Sequence, residues 1–421
     1  MDRGPRHSWI LVFLVALVVP AFAGGDAHAA AGKAPAPLLR KGTAVDWWFV
    51  LKMNSKIFPG CGGDAVPSCT FGGDVQGYVG KRNFGQRYVV ASSSKPDLRE
   101  GQGCLGDGDD DPLSATFGQV YGDPSLYYVL WNDQFYEDPE VEGCGESCSG
   151  PWGHSKGMLA WNDAGEGFVL QVSTPSWPAS GSALHPRASD GNTLGCIDDN
   201  NVQVSQHFFA LRLKKGDLET VLDALQNASV VTLVDNPQVV RNGGPAGIQE
   251  RVKALGHKSA SKIATLSPLS IKGVRVLSKP SKLNVPPWQL VSAELGGTPL
   301  KAATWRMGSR GIPSTTEATP IECWDAALGR PGAVVNATTG QWDDTMFGLR
   351  GGLGNGNHAK FGVSTDPKRP YAIFGDLNQE GKLAGKCRSS QNGRGGTFFV
   401  VENLKFFQSL TNLLDGEVEP P

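Results

Sequence analysis

Charge is scarce in this chain. Asp, Glu, Lys and Arg make up 19% of the 421 residues, and the formal net charge is -2. No global positive field can gather a polyanion, so nucleic-acid binding would have to rest on a local patch. Histidine is scarcer, with seven in the whole chain. Beyond residue 29 no apolar run is long enough to span a bilayer. The acidic run Asp107-Gly108-Asp109-Asp110-Asp111 lacks the ligand order of an EF-hand and reads as a solvated loop. Near Cys144-x-x-x-Cys148 no second Cys or His pair completes a zinc site.

Glycine (55) and proline (28) are plentiful instead, which favours a loop-rich and strand-rich fold over helical bundles. Residues 1–29 have the form of a secretory signal. Arg3 and Arg6 precede the apolar run Trp9–Ala23, and Ala21-Phe22-Ala23 and Ala27-His28-Ala29 fit small-x-small cleavage. Residues 30–43 read as a flexible lead-in. All eight cysteines follow, an even number that suggests disulfides in an exported chain. Close spacing suggests Cys61–Cys69 and Cys144–Cys148, leaving Cys104–Cys196 and Cys323–Cys387.

Strand signals recur at Val45–Lys52, Arg87–Ala91, Ser125–Trp131, His207–Leu211 and Leu300–Trp305. Asp217–Ala228 has the spacing of a helix, and Phe398–Leu413 ends in another. Turn residues at 235–245 mark a boundary. From Arg251 to Lys282 the chain carries Arg251, Lys253, Lys258, Lys262, Lys272, Arg275, Lys279 and Lys282 with no Asp or Glu. With Lys301 further on, these are the candidate phosphate-backbone contacts.

Two triplets organise the rest: His154-Ser155-Lys156 and His358-Ala359-Lys360, about 200 residues apart. Each opens a strand–turn–strand pattern. The first turns at Asn162–Gly165 and ends at Ser173–Ser176; the second turns at Thr365–Lys368 and ends at Gly375–Asn378. Such a repeat suggests two related halves about a pseudo-twofold axis. Residues two apart on a strand share a side, so each pair presents an imidazole with an ammonium. Two facing pairs suit a phosphodiester. One imidazole attacks phosphorus, the other protonates the leaving oxygen, and the lysines hold the non-bridging oxygens.

These stretches, with Leu130-Trp131-Asn132-Asp133-Gln134, Gly375-Asp376-Leu377-Asn378 and Arg394-Gly395-Gly396-Thr397, resemble the deoxyribonuclease II family within the phospholipase D superfamily. The resemblance covers about residues 44–413. It implies a mixed α+β fold of two pseudo-symmetric phospholipase D-like lobes, each a β-sheet flanked by helices, at 44–240 and 241–421, sharing one active site. It also implies an acid endonuclease that needs no metal or cofactor and leaves 3′-phosphate and 5′-hydroxyl ends. By that analogy His154 is the nucleophile and His358 the general acid–base, or the reverse, with Lys156 and Lys360 on the phosphate. Asn378 would orient an imidazole or the phosphate, and Asp376 would hold a tautomer. Ser176 stands where the superfamily has a second Asn, and a family cysteine before Val45 is absent.

The expected partner is double-stranded DNA, with no stable membrane partner and a homodimer left open. The expected location is secreted or periplasmic, or lysosomal in a eukaryote. The competing readings are a phospholipase-like phosphodiesterase on another substrate, a silent DNA-binding protein and a metal-dependent nuclease. Lipid hydrolysis, binding without turnover and loss of activity in chelator would separate them.

Overall fold

Alternating and continuous apolar runs set the strands of this computed structural model, which describes residues 1, 2, 4 and 32–421 apart from 60–86, 106–109, 136–138, 176–203, 238 and 352–355. The fold is mixed α+β. One sheet has eight strands in the order Val240–Arg241, Tyr127–Asn132, Lys156–Trp161, Gly167–Val172, Gln206–Leu213, Trp47–Lys52, Tyr88–Ser92, Arg99–Glu100. Every neighbouring pair in it is antiparallel. The other has seven: Val334–Asn336, Leu300–Ala303, Phe361–Ser364, Tyr371–Gly375, Gly396–Glu402, Val274–Lys279, Thr265–Pro268. Only its first pair is parallel.

The two orders match. In each sheet the hairpin after a His-x-Lys triplet lies in the middle, followed by the strand that runs into a helix, Lys215–Ala228 in one case and Leu404–Leu413 in the other. Residues 32–421 nevertheless form one compact unit. The inner faces of the sheets meet through aromatics. Phe374 stacks on Phe49 at 4.6 Å and on Phe209 at 4.9 Å, and Phe209 meets Phe399 at 5.4 Å. Both helices sit in this layer. Phe406 lies 4.9 Å from Trp47 and 5.7 Å from Phe374, and Ser278 Oγ donates to Ala224 O at 2.7 Å. Helix Pro112–Gly122 covers the opposite face of the first sheet, where Trp48 Nε1 donates to Thr116 Oγ1 at 3.1 Å. Helix Pro287–Glu294 covers that of the second, with Trp288 edge-on to Phe398 at 5.5 Å. Phe374→Ala would leave a cavity among aromatic rings, so urea unfolding should show a loss of about 3–5 kcal/mol.

Several expectations need revision. The segment read as a flexible lead-in is ordered over its second part: Leu38–Arg40 pairs with Thr43–Ala44. Its backbone is held by side chains of the outer helix, with Leu38 N donating to Thr116 Oγ1 at 2.9 Å and Gln119 Nε2 to Ala36 O at 2.8 Å. The segment Phe398–Leu413 does end in a helix, Leu404–Leu413 capped by Asn403, after strand Gly396–Glu402. Asp111 caps Pro112–Gly122, accepting from the amides of Leu113 and Ser114. Disulfides join Cys144 to Cys148 and Cys323 to Cys387. Cys104 is disulfide-bonded too, whereas Cys61, Cys69 and Cys196 lie outside the described residues. No helix among the described residues is long and apolar enough to cross a membrane.

Candidate active site

Each histidine of the two triplets is held by the other half of the chain. The amide of His154 donates to Gly395 O at 2.8 Å, and the amide of His358 donates to Ser205 O at 2.8 Å. Gly395 and Ser205 stand just before the strands that begin at Gly396 and Gln206. The two anchors are therefore reciprocal. Around His154 the chains are too close for side chains. A Cβ on Gly153 would lie 2.6 Å from Ala228 O, and one on Gly395 only 2.0 Å from it. Ala228 ends helix Lys215–Ala228, and Ser229 O beyond it accepts from Gly153 N at 2.8 Å.

Lys156 opens its strand, Lys360 stands just before Phe361–Ser364, and both are buried, 2% exposed for Lys156 and 4% for Lys360. Lys156 Nζ donates to Asp133 Oδ1 at 2.6 Å, and Arg394 donates to Asp133 Oδ2 at 2.9 Å. Burial alone would raise the Asp133 pKa, but Lys156, then His154 and Arg394, outweigh it and hold the carboxyl well below its usual range. The adjacent disulfide loop secures this residue, with Cys148 N donating to Asp133 O at 2.7 Å. Lys360 Nζ donates to His358 O at 2.6 Å. Burial lowers the Lys360 pKa to about 7, with Lys156 adding to the effect. Burial also pushes both catalytic-candidate imidazoles well below 6.5, followed by Lys156 for His154 and Lys360 for His358.

The imidazoles differ at Nδ1. That of His154 lies 2.8 Å from Asp376 O; a carbonyl only accepts, so Nδ1 carries hydrogen and Nε2 has the lone pair. That of His358 lies 3.3 Å from Gln206 Nε2, and its ring meets Trp305 edge-on at 4.2 Å. The contact to His154 is made by the Asp376 main chain, not by its carboxylate. Its carboxylate turns to Thr397 N and Oγ1, both at 2.7 Å, and to Gln171 Nε2 at 3.0 Å. Burial raises its pKa to about 6. Asn378 is 6% exposed, and its Oδ1 has no hydrogen-bond partner among the described residues.

The hairpin registers revise one correspondence. Gly157 pairs with Gln171 and Phe361 with Phe374, so counting onward places Ser173 opposite Asp376 and Pro175 opposite Asn378. Ser176, expected there, is offset by one residue and lies outside the described residues.

The basic window divides. Lys258 lies over Trp152 at 5.0 Å, and Lys262 and Lys282 line a basin of about 620 Å³ with Arg310, Arg388, Arg394 and Glu380. Arg394 links this basin to Asp133. The others point elsewhere. Arg251 pairs with Asp223 at 2.9 Å, Lys253 with Glu250 at 2.9 Å and Arg275 with Glu402 at 4.0 Å. Lys279 is fully buried and donates to Asn392 O and Arg394 O, both at 2.8 Å, so it shapes the turn before Gly395 and does not meet solvent. Lys301 Nζ reaches Leu414 O at 3.5 Å, and Lys272 is exposed on the turn between two strands. Sequence reasoning missed Asp133, Gln206, Arg310 and Arg388 as site residues. Of these four, only Asp133 stands within a stretch that resembles the family.

A search of curated proteins returned no match. Residues 37–416 match the family model for deoxyribonuclease II. That span takes in both triplets, the Asp133 and Arg394 bridge and both sheets, and so the chain belongs to the deoxyribonuclease II family of DNA-hydrolysing enzymes.

Proposed function

We propose that the protein is an exported endonuclease that cuts DNA in acid without a metal ion, through a phosphohistidine, leaving 3′-phosphate and 5′-hydroxyl ends. The observation that carries this reading is the reciprocal anchoring of His154 and His358, each by the main chain of the opposite half. It supports a duplicated chain, with lobes near 44–240 and 241–421, whose triplets serve one centre. His154 offers an Nε2 lone pair to phosphorus. Lys156 and Lys360 neutralise the non-bridging oxygens, and Asn378 adds a hydrogen bond. His358 protonates O5′ and then takes a proton from water.

Acid dependence follows from the direction of the imidazole shifts. The acid must carry a proton, and burial with neighbouring lysines lowers the pH at which His358 takes it up. Activity should therefore fall as pH rises towards neutrality. The basin beside Arg394 favours a strand with flanking phosphates over a lipid headgroup. Lys282→Ala with Arg388→Ala should raise KM for DNA several-fold with little change in kcat. The slope of log KM against log salt should weaken by about one for each phosphate no longer neutralised.

The deciding experiment is plasmid nicking by the wild-type protein at acidic pH in excess chelator. New 5′ ends should accept labelled phosphate from a kinase without prior phosphatase treatment. A requirement for added metal, or 5′-phosphate ends, would overturn this reading.

A further inference from the structure

His358 meets an unusual partner for an acid–base group. Gln206 Nε2 lies 3.3 Å from His358 Nδ1, and Gln206 Oε1 accepts from Ser173 Oγ at 2.6 Å. An amide N–H only donates, so Nδ1 in this arrangement is a bare acceptor and the ring proton sits on Nε2. That neutral tautomer is idle. It cannot give up its Nε2 proton without becoming an imidazolate, and its Nε2 has no lone pair to accept one. A working His358 needs hydrogen on Nδ1 throughout the cycle.

The surroundings can supply that second arrangement. If the Gln206 amide turns over, Oε1 accepts from Nδ1–H and Nε2 donates to Ser173 Oγ. The Ser173 hydroxyl then turns to His207 O, which lies 3.3 Å away. His207 N donates to Ser173 Oγ at 2.9 Å in either state. Each orientation thus satisfies the same three groups, because an amide and a hydroxyl can each exchange donor for acceptor. His154 has no such freedom, since a main-chain carbonyl fixes its Nδ1.

We propose that Gln206 is a two-position switch for His358: its amide inverts when Nδ1 takes a proton from solvent, and only the inverted state is a competent acid–base. This rests on the proposed function and adds a positioning residue to it. In the inverted state imidazolium His358 gives its Nε2 proton to O5′ as the P–O5′ bond breaks and the bond from His154 Nε2 to phosphorus forms. His358 is left neutral, with its remaining proton on Nδ1 held by Gln206 Oε1. Water then gives a proton to the His358 Nε2 lone pair and its oxygen to phosphorus. The N–P bond breaks, freeing the 3′-phosphate and restoring the imidazolium. The charged groups that act on His358 are Lys360 beside it, Lys156 from the facing hairpin and Lys52 from the strand next to Gln206. None of them is an anion, so beside a neutral amide nothing holds a charge on the resting imidazole.

Two measurements test the switch. Nitrogen-15 spectra of histidine-labelled protein, with His358 assigned by its loss in His358→Asn, should show a bare Nδ1 and a protonated Nε2 at pH 8. Gln206→Glu supplies a permanent acceptor for Nδ1–H. It should move the alkaline limb of the pH–rate profile upward by about one unit, raising the rate at pH 7 relative to the optimum about tenfold. A role confined to packing would lower the rate at every pH alike. A protonated Nδ1 in the neutral wild type, or an alkaline limb in Gln206→Glu that stays in place, would overturn the switch. The spectra need no DNA, so they can fail while metal-free cleavage stands.

Discussion

His154→Ala should lower DNA cleavage in chelator by at least about a thousandfold, and His358→Ala by a comparable factor. The double variant should be no slower than the slower single one, because both imidazoles serve the same bond-breaking step. The two differ on an activated substrate. With a nitrophenyl phosphodiester the leaving group needs no proton, so His358→Ala should recover much of the first step. His154→Ala should not, having lost the atom that attacks. Release of nitrophenol in a rapid burst by His358→Ala, with slow turnover after it, would show both roles in one trace. Equal losses on DNA and on the activated ester would sink this division of labour, and wild-type cleavage by either variant would remove that histidine from the chemistry.

The second large effect belongs to Asp133. Its carboxylate is 1% exposed on the side chain and stands between the Lys156 ammonium and the Arg394 guanidinium. Asp133→Ala would leave the Lys156 charge buried without its partner, a loss of about 3–5 kcal/mol in urea unfolding. Cleavage should collapse as well, since Lys156 loses its anchor and Arg394 loses one link between the halves. Replacing Lys156 and Asp133 together by Met and Leu should return most of the stability and none of the activity. A loss below about 1 kcal/mol in Asp133→Ala would mean that the bridge is not a structural element.

What was legible in the sequence was whatever has a period or a fixed spacing. Strands such as Trp47–Lys52 and Gln206–Leu213 follow from apolar runs, and the paired hairpins from their turns and triplets. Helix Lys215–Ala228 begins two residues before its apolar face suggests, because Lys214 is its cap. The site residues that escaped notice are those whose meaning lies in distant partners. Gln206 gains importance only because strand order sets it beside His358, 152 residues away. Arg310 and Arg388 join Lys262 and Lys282 through loops that no periodic pattern ties together. The basic window misled for the converse reason. It holds no acidic residue itself, yet Asp223 and Glu402 reach into it from other elements.

The asparagines of Asn227-Ala228-Ser229 and Asn336-Ala337-Thr338 make a similar point. Both fit a glycosylation acceptor by sequence, yet Asn227 Nδ2 donates to Ile263 O at 3.1 Å and Asn336 is 1% exposed. In the folded chain the Asn336 side chain is buried and the Asn227 amide is already engaged.

The crossed anchors bear on how such an enzyme is made safely. The carbonyl that holds His154 belongs to Gly395, about 240 residues further along the chain. A ribosome that has released the first triplet has not yet made the residue that positions it. On the mechanism proposed above, synthesis that stops early yields fragments with one imidazole and no facing partner, which lack the acid that releases O5′ from DNA. On that reading chain order alone keeps the unfinished chain from cutting DNA, and no separate inhibitor is required during translation.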